Sequence, residues 1–187
     1  MSDKKKYPRA DALAVAAELC RVLKPLTERL IVAGSLRRRK PMVGDVEILY
    51  IPKQEYQALD LFSTASVSLV DDLLNRLLKE GIIQQRKNVH GSVMWGDKNK
   101  LALHAASGIP VDFFSANVSN WFNYLVCRTG GAGNNMQIAS AAQKLGMKWN
   151  PYGIGFTDRW GKVQQVTRER DAFDFVGLPF KEPWERL

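Results

Sequence analysis

Cysteine and histidine are scarce in this chain, with two of each in 187 residues. Cys20 and Cys127 are too few for a disulfide framework, and neither stands in the close pair that zinc sites use. His90 and His104 have no second histidine or cysteine at ligand spacing, so both are assigned to structure. Two reduced thiols in a soluble, intracellular, cytoplasmic protein are the expectation. Long apolar runs are missing too. Nothing approaches the roughly eighteen consecutive apolar residues that a spanning helix needs, and no export signal follows the basic start MSDKKKYPR, so no membrane partner is expected. The run Lys4, Lys5, Lys6 reads as a solvated terminus. Repeats, low-complexity tracts and linkers are absent. Acid is the charge in short supply: 27 Lys and Arg face 19 Asp and Glu, and the resulting formal charge of +8 favours a polyanionic partner without naming one.

What is present is a 45% hydrophobic content, enough to bury a core, laid out in mixed periodicities. Residues 10–24 place Leu13, Ala16, Ala17, Cys20 and Leu23 at helical spacing, and Pro25 opens a short turn after them. Leu30 to Ala33 form a strand that ends in a loop at Gly34 and Ser35, and residues 45–51 alternate as a second strand. Leu73, Leu74, Leu77 and Leu78 mark a helix over residues 70–79 that Gly81 stops. IIQQRK, SVMWG, KLALHAA and IPVDFF read as strands extending the sheet in antiparallel fashion. Residues 119–128 and 134–145 read as helices on either side of Gly130, Gly131 and Gly133, and short strands and turns fill the last forty residues. The expected fold class is α+β, a mixed sheet with helices on one face and a smaller C-terminal lobe from about Trp121.

The chemistry gathers around residues 34–47. Asp45 and Glu47 are two apart on a strand and therefore project from one face. Like charges held that close are unfavourable unless a cation lies between them, and an all-oxygen pair suits magnesium. Asp112, in IPVDFF, alternates with Val111 and Phe113 and is a candidate third carboxylate, with a strand acid facing water as the alternative. Upstream, Gly34 allows close backbone approach and Ser35 offers a hydroxyl and an amide. Arg37, Arg38, Arg39 and Lys40 supply cations, the arginines with bidentate geometry for phosphate. In outline this is a metal-assisted nucleotide site.

GSLRRRKPMVGDVEIL at residues 34–49 resembles the signature of X-family DNA polymerases, members of the polymerase-beta-like nucleotidyltransferase superfamily. The resemblance continues through the preceding LKPLTERLIVAGS, through VDFF, through RTGGAGNNMQIASAAQKLGMKWNPYG and through the closing ERDAFDFVGLPFKEPWER. It implies a catalytic palm over residues 1–120 and a small nucleotide- and DNA-binding lobe over residues 121–187. It further implies that Asp45, Glu47 and Asp112 hold two Mg2+ ions, with Mn2+ as a substitute, and that Asp112 serves the attacking 3'-hydroxyl. Ser35, Arg38 and Gly44, beside Gly34, would grip the nucleotide's phosphates, and Thr129, Gly130 and Asn135 would line its sugar and base. The implied reaction adds nucleotides from nucleoside triphosphates to a DNA 3'-hydroxyl, on primed or gapped DNA, with pyrophosphate leaving. Gap filling or repair is the implied setting.

The departures from the family pattern fall at particular residues. Glu47 stands where aspartate is usual. Cys127 and Arg128 replace an aromatic pair that guards against a ribose 2'-hydroxyl, Ala132 replaces a polar or acidic residue, and Ala139 stands where an arginine near the template is common. Sugar choice and template dependence are the properties these changes touch. The chain resembles a minimal form without the N-terminal lyase and helix-hairpin-helix domains, expected to act as a monomer, with an accessory protein left open. Lys98, Lys100, Arg159, Lys162, Arg168 and Arg170 are candidates for contacts to the DNA backbone. Trp149, Trp160 and Trp184 read as packing residues, with base stacking as the alternative. The rival functions are a template-independent, RNA or small-molecule nucleotidyltransferase, and a non-catalytic nucleotide- or DNA-binding module.

Overall fold

A computed structural model describes residues 5–58 and 64–187. Lys4 of the terminal basic run lies outside them, while Lys5 and Lys6 are exposed. The first elements are β1 (Tyr7–Pro8), α1 (Arg9–Leu23), β2 (Thr27–Val32), α2 (Gly34–Arg37), β3 (Met42–Val43), β4 (Val46–Pro52), β5 (Gln54–Ala58), β6 (Thr64–Ser68) and α3 (Leu69–Lys79). There follow β7 (Ile83–Gln85), β8 (Asn99–His104), β9 (Pro110–Ser115), α4 (Trp121–Thr129), α5 (Ala132–Lys144), β10 (Met147–Trp149), β11 (Gly155–Asp158), β12 (Val163–Gln165) and α6 (Asp171–Asp174). The fold is α+β. The chain divides into two compact units, one running to Val32 and resuming over Met42–Ser115, the other formed by Ala33–Pro41 and Ala116–Leu187. The segment Ala33–Pro41 thus groups with the C-terminal lobe, which a single boundary near residue 120 does not anticipate.

The first unit is built on a five-stranded sheet in the order β2-β4-β9-β8-β7. β4 pairs antiparallel with β2 and parallel with β9, while β8 and β7 continue antiparallel. β4 and β9 are therefore interior strands, and their sequences read as near-continuous apolar runs because both faces are covered. Ile48, Leu49, Val111 and Phe113 are completely buried. Ala12, Val15, Ala16, Leu19 and Leu23 form the buried stripe of α1, which packs on β2 and β4; each leucine so buried is worth about 1.5–3 kcal/mol. Helix α3 buries Val70, Leu73, Leu74 and Leu77, and the Ser68 hydroxyl caps it by accepting from the Asp71 amide at 3.3 Å. Three details of this unit differ from the sequence expectation. IPVDFF, expected to extend the sheet in antiparallel fashion, forms β9 and pairs in parallel with β4, a pairing between distant strands that alternation within either one does not specify. SVMWG makes only the isolated bridges Lys87↔Val93 and Trp95↔Lys100, since Val89 and Val93 are exposed and give a strand no face to bury. The hairpin of β5 and β6 has no strong periodicity to announce it.

In the second unit, α4, α5 and α6 pack with the three-stranded antiparallel sheet β10-β11-β12. Val126, Ile138, Ala142, Trp149, Phe156, Val166, Ala172, Phe173 and Val176 form its core. Trp149 is one of the packing tryptophans: its ring stacks on Phe156 with centroids 6.2 Å apart, and its Nε1 donates to Asn123 Oδ1 at 2.7 Å. Asn123, fully buried at the start of α4, also donates to the carbonyls of Asn150 and Gly153 at 2.7 and 2.8 Å, so no donor of its amide is left over. Residues 34–37, expected as a loop, close a helical turn, with the Arg37 and Arg38 amides donating to the carbonyls of Ala33 and Gly34, both at 3.1 Å. Gly34 begins it at φ 60°, a conformation that costs a side chain about 1–2 kcal/mol. Among the described residues no helix is long and apolar enough to cross a membrane.

Candidate active site

The carboxylates belong to the first unit. Half-buried Asp45 and Glu47 alternate with fully buried Val46 and Ile48, as strand geometry requires. The parallel register places Glu47 directly beside Asp112 of β9, and Leu101 of β8 lies on the far side of Asp112. Asp112 does not face water as an ordinary strand acid would: it is 9% exposed in an interior strand. Arg86, just past β7, donates from Nη2 to Asp112 Oδ1, and its backbone amide is fixed by the Leu101 carbonyl at 3.0 Å. Within the described residues, Arg86 Nε is buried without a hydrogen-bond partner. Nothing in IIQQRK singles out Arg86 from sequence, because its partner lies on a strand 26 residues away.

Donor type and backbone register both fit a hard divalent cation, which prefers carboxylate oxygens. The side chains as they stand do not form a closed cage. Among the described residues no three or more His, Cys, Asp or Glu gather closely enough to hold an ion, and Arg86 occupies an oxygen of Asp112. Gly44, next to Asp45, has open space where a Cβ would lie, so packing within the chain does not dictate a glycine there.

The turn at residues 34–38 belongs to the second unit. Ser35 Oγ is buried and has no hydrogen-bond partner within the described residues. The two arginines that follow are committed to the protein itself. Arg37 makes a bidentate pair with Glu169, at 2.9 and 2.6 Å, and donates to the Thr129 hydroxyl at 2.6 Å. Arg38 donates from Nη1 to the Thr129 carbonyl at 2.7 Å. Thr129 is fully buried under these contacts, so its side chain presents no surface in this arrangement. Glu169 also accepts from Arg186, whose guanidinium is completely buried and lies over Phe173 and Phe180. Burial pushes the Glu169 carboxyl up, but the hydrogen bond from Arg37 and the charges of Arg186 and Arg37 outweigh it and hold the group below its ordinary value. Arg39, at φ 59°, lies over the Trp184 ring at 4.1 Å.

At the start of α5, Asn135 Nδ2 donates to the Cys127 carbonyl at 2.9 Å, while its Oδ1 is buried and lacks a partner within the described residues, as does Asn134 Nδ2. A Cβ on Gly130 would run into both amides, which is why glycine stands there. Asn134, the first of the NN pair, is a residue that sequence reasoning passed over. Leaving a polar atom buried and unsatisfied costs about 1–3 kcal/mol, so Ser35, Asn134 and Asn135 each lack a partner worth that much. Arg128 sits against the rings of Tyr124 and Tyr152 at 5.4 and 5.3 Å, and those rings meet edge to face at 5.5 Å. Burial pushes the Tyr124 hydroxyl up, against the opposing effect of Arg128.

The expected DNA contacts divide sharply. Lys100 is 3% exposed, with its Nζ on Asp71 Oδ1 at 2.8 Å and the Gly96 carbonyl at 3.0 Å, so it is a structural cation and not a phosphate contact. Arg168 is mostly exposed but pairs with Asp171 at 2.8 Å, and Arg170 lies over Phe180 at 4.6 Å. Lys98, Arg159 and Lys162 are exposed. His104 is buried against Ser107, at 2.8 Å, and His90 lies exposed in a turn, in keeping with structural roles.

A family described as the DNA polymerase beta thumb matches residues 124–187, inside the second unit. DNA polymerase lambda of Rattus norvegicus is 25% identical over 166 residues, which cover 83% of this chain and 28% of the relative. The similarity therefore reaches well beyond the thumb segment, and the chain corresponds to little more than a quarter of that relative's length.

Proposed function

We propose, from the premise that this chain is an X-family-polymerase-like protein, that it transfers a nucleotidyl group from a nucleoside triphosphate to a DNA 3'-hydroxyl. The new bond joins the 3'-oxygen to the α-phosphorus, the bond from that phosphorus to the bridging oxygen breaks, and pyrophosphate leaves. The observation that carries this reading is the pairing of Glu47 with Asp112 across parallel strands, with Asp45 two residues upstream. Asp45, Glu47 and Asp112 would hold divalent cations, which supply Lewis acidity at the phosphates and at the attacking hydroxyl. Asp112, the most buried of the three, is the group assigned to receive the hydroxyl proton. Its ion pair with Arg86 occupies an oxygen that the cation would use and has to give way when cation and substrate arrive.

Ser35 Oγ and the Asn134 and Asn135 amides are offered as ligand contacts, since a nucleotide's phosphate, sugar and base edges can satisfy the buried atoms that now lack partners. Gly44 is assigned to the triphosphate, because the space beside it is open. Arg38, whose Nη1 donates to the Thr129 carbonyl, is assigned to the phosphates as well. One feature favours a looser variant of the same reaction: Arg128, held by two tyrosines, stands where the family guards against ribose, so ribonucleotides are expected to be incorporated alongside deoxyribonucleotides.

The test is extension of a labelled primer on gapped, primed and single-stranded DNA with Mg2+ or Mn2+. Wild type should add nucleotides and Asp45→Ala should not. Absence of extension on every substrate and with either cation, from folded protein, would end this reading.

A further inference from the structure

We propose that the hairpin joining β11 and β12 is a binding site for unpaired nucleic acid, with Trp160 as the ring on which a base stacks. Trp160 is 80% exposed, whereas Trp149 is buried in the core and Trp184, at 45%, has Arg39 over its ring at 4.1 Å. An indole this exposed on a loop tip contributes little to packing and is accessible to a partner. The tip is held in shape without using that face. Asp158 accepts from the Trp160 and Lys162 amides, both at 2.9 Å, and its own amide donates to the Lys162 carbonyl at 3.0 Å. The loop's acid is thus consumed by the turn.

The cations around the ring point to the chemistry of the partner. Between residues 144 and 165 the charged side chains are Lys144, Lys148, Arg159, Lys162 and Asp158, four positive and one negative. The register of the sheet puts Lys148, Thr157 and Val163 side by side on the face opposite Trp149 and Phe156, and Lys148 and Val163 are exposed. The Arg159 guanidinium stands 5.0 Å from the Trp160 ring. An exposed aromatic ring flanked by cations suits a strand whose bases are free to stack and whose phosphates need neutralising; a duplex offers phosphates but keeps its bases inside. The partner is therefore single-stranded nucleic acid. The inference rests on the proposed DNA substrate and adds where the unpaired strand is held.

The experiment measures binding of the full chain to a labelled oligothymidylate and to a blunt duplex of the same length, by anisotropy, at several salt concentrations. Trp160→Ala should weaken single-strand binding about 5- to 100-fold, the range expected for losing one stacked base, and leave duplex binding unchanged. Trp160→Phe should restore most of the loss. The double variant Arg159→Ala, Lys162→Ala should weaken both and flatten the salt dependence by about two cations. Thermal melts of these surface variants should match wild type. Equal single-strand affinity of Trp160→Ala and wild type would overturn the inference while leaving the polymerase reading intact if primer extension persists. No binding of wild type to either nucleic acid would overturn both and leave the hairpin to a protein partner.

Discussion

The interior strands β4 and β9 and the segments around Thr129 treat their functional candidates in opposite ways. At the strands, backbone register sets Glu47 beside Asp112 with Asp45 just upstream, Arg86 holds one oxygen of Asp112, and the apolar residues between the acids fill the core. Around Thr129, the candidates are already bonded to the protein: Arg37 to Glu169, Arg38 to the Thr129 carbonyl, Asn135 to the Cys127 carbonyl. The first region displays charge from interior strands. The second is a network in which a ligand must replace existing partners, and the buried atoms of Ser35, Asn134 and Asn135 mark where partners are lacking.

The largest effect separating the two regions is on activity. Asp112→Asn should reduce nucleotide addition by about 10³-fold or more while the fold survives, since it removes the charge that binds the cation. Extension assays beside thermal melts check both halves of that expectation; substantial activity in the variant would show that the strand pair is not the catalytic region.

Next comes stability, which belongs to the network. Glu169→Ala strands a completely buried Arg186 and a bidentate Arg37, so it should cost about 3–5 kcal/mol, readable as a lowered denaturant midpoint. The same group sets an acid limb. Its folded value is depressed, so its contribution is fully present above the ordinary unfolded carboxylate value, about pH 4.3, and is lost as pH falls through the lower folded value. Asp171 acts in the same direction: burial pushes it up, but hydrogen bonds from Thr167 and Arg168 prevail and hold it down. Glu169→Gln should therefore lower stability at neutral pH and flatten its decline below about pH 4. An unchanged acid limb would mean that the network is not a stabilising element.

A smaller effect concerns Arg86. Because it holds the oxygen that a cation would use, Arg86→Ala should lower the Mg2+ concentration for half-maximal extension several-fold, and a rise instead would make Arg86 a positioning residue and not a competitor. Smallest is the DNA effect of Lys100→Ala, expected to be nil in a filter or anisotropy assay, with a loss of about 1–3 kcal/mol in stability from stranding Asp71. A clear fall in DNA affinity would show that this buried cation reaches phosphate after all.

Legibility followed the range of the interactions. The alternation at Asp45 and Glu47, the leucine pattern of α3 and the glycine stop after it are local, and sequence spacing reveals them. That Asp112 neighbours Glu47 depends on a parallel pairing between strands far apart in the chain, which the resemblance implied and periodicity did not. Arg86, Asn134 and the Glu169 network have no local signature. A surface lysine and the buried Lys100 look alike until the partner, Asp71, comes from another element. The helical turn at Gly34–Arg37 reads as a loop in the sequence because four residues carry no period, and the bonds of Arg37 and Arg38 to distant Thr129 hold it.

Nucleotidyl transfer is assigned to Asp45, Glu47 and Asp112, at and beside β4 and β9. Simultaneous measurement of primer elongation and pyrophosphate release in wild type, Asp45→Asn and Asp112→Asn addresses it directly. Wild type should release one pyrophosphate for each nucleotide added, and each variant should lose both signals together. Elongation that survives in both variants, or pyrophosphate released without elongation, would contradict the assignment.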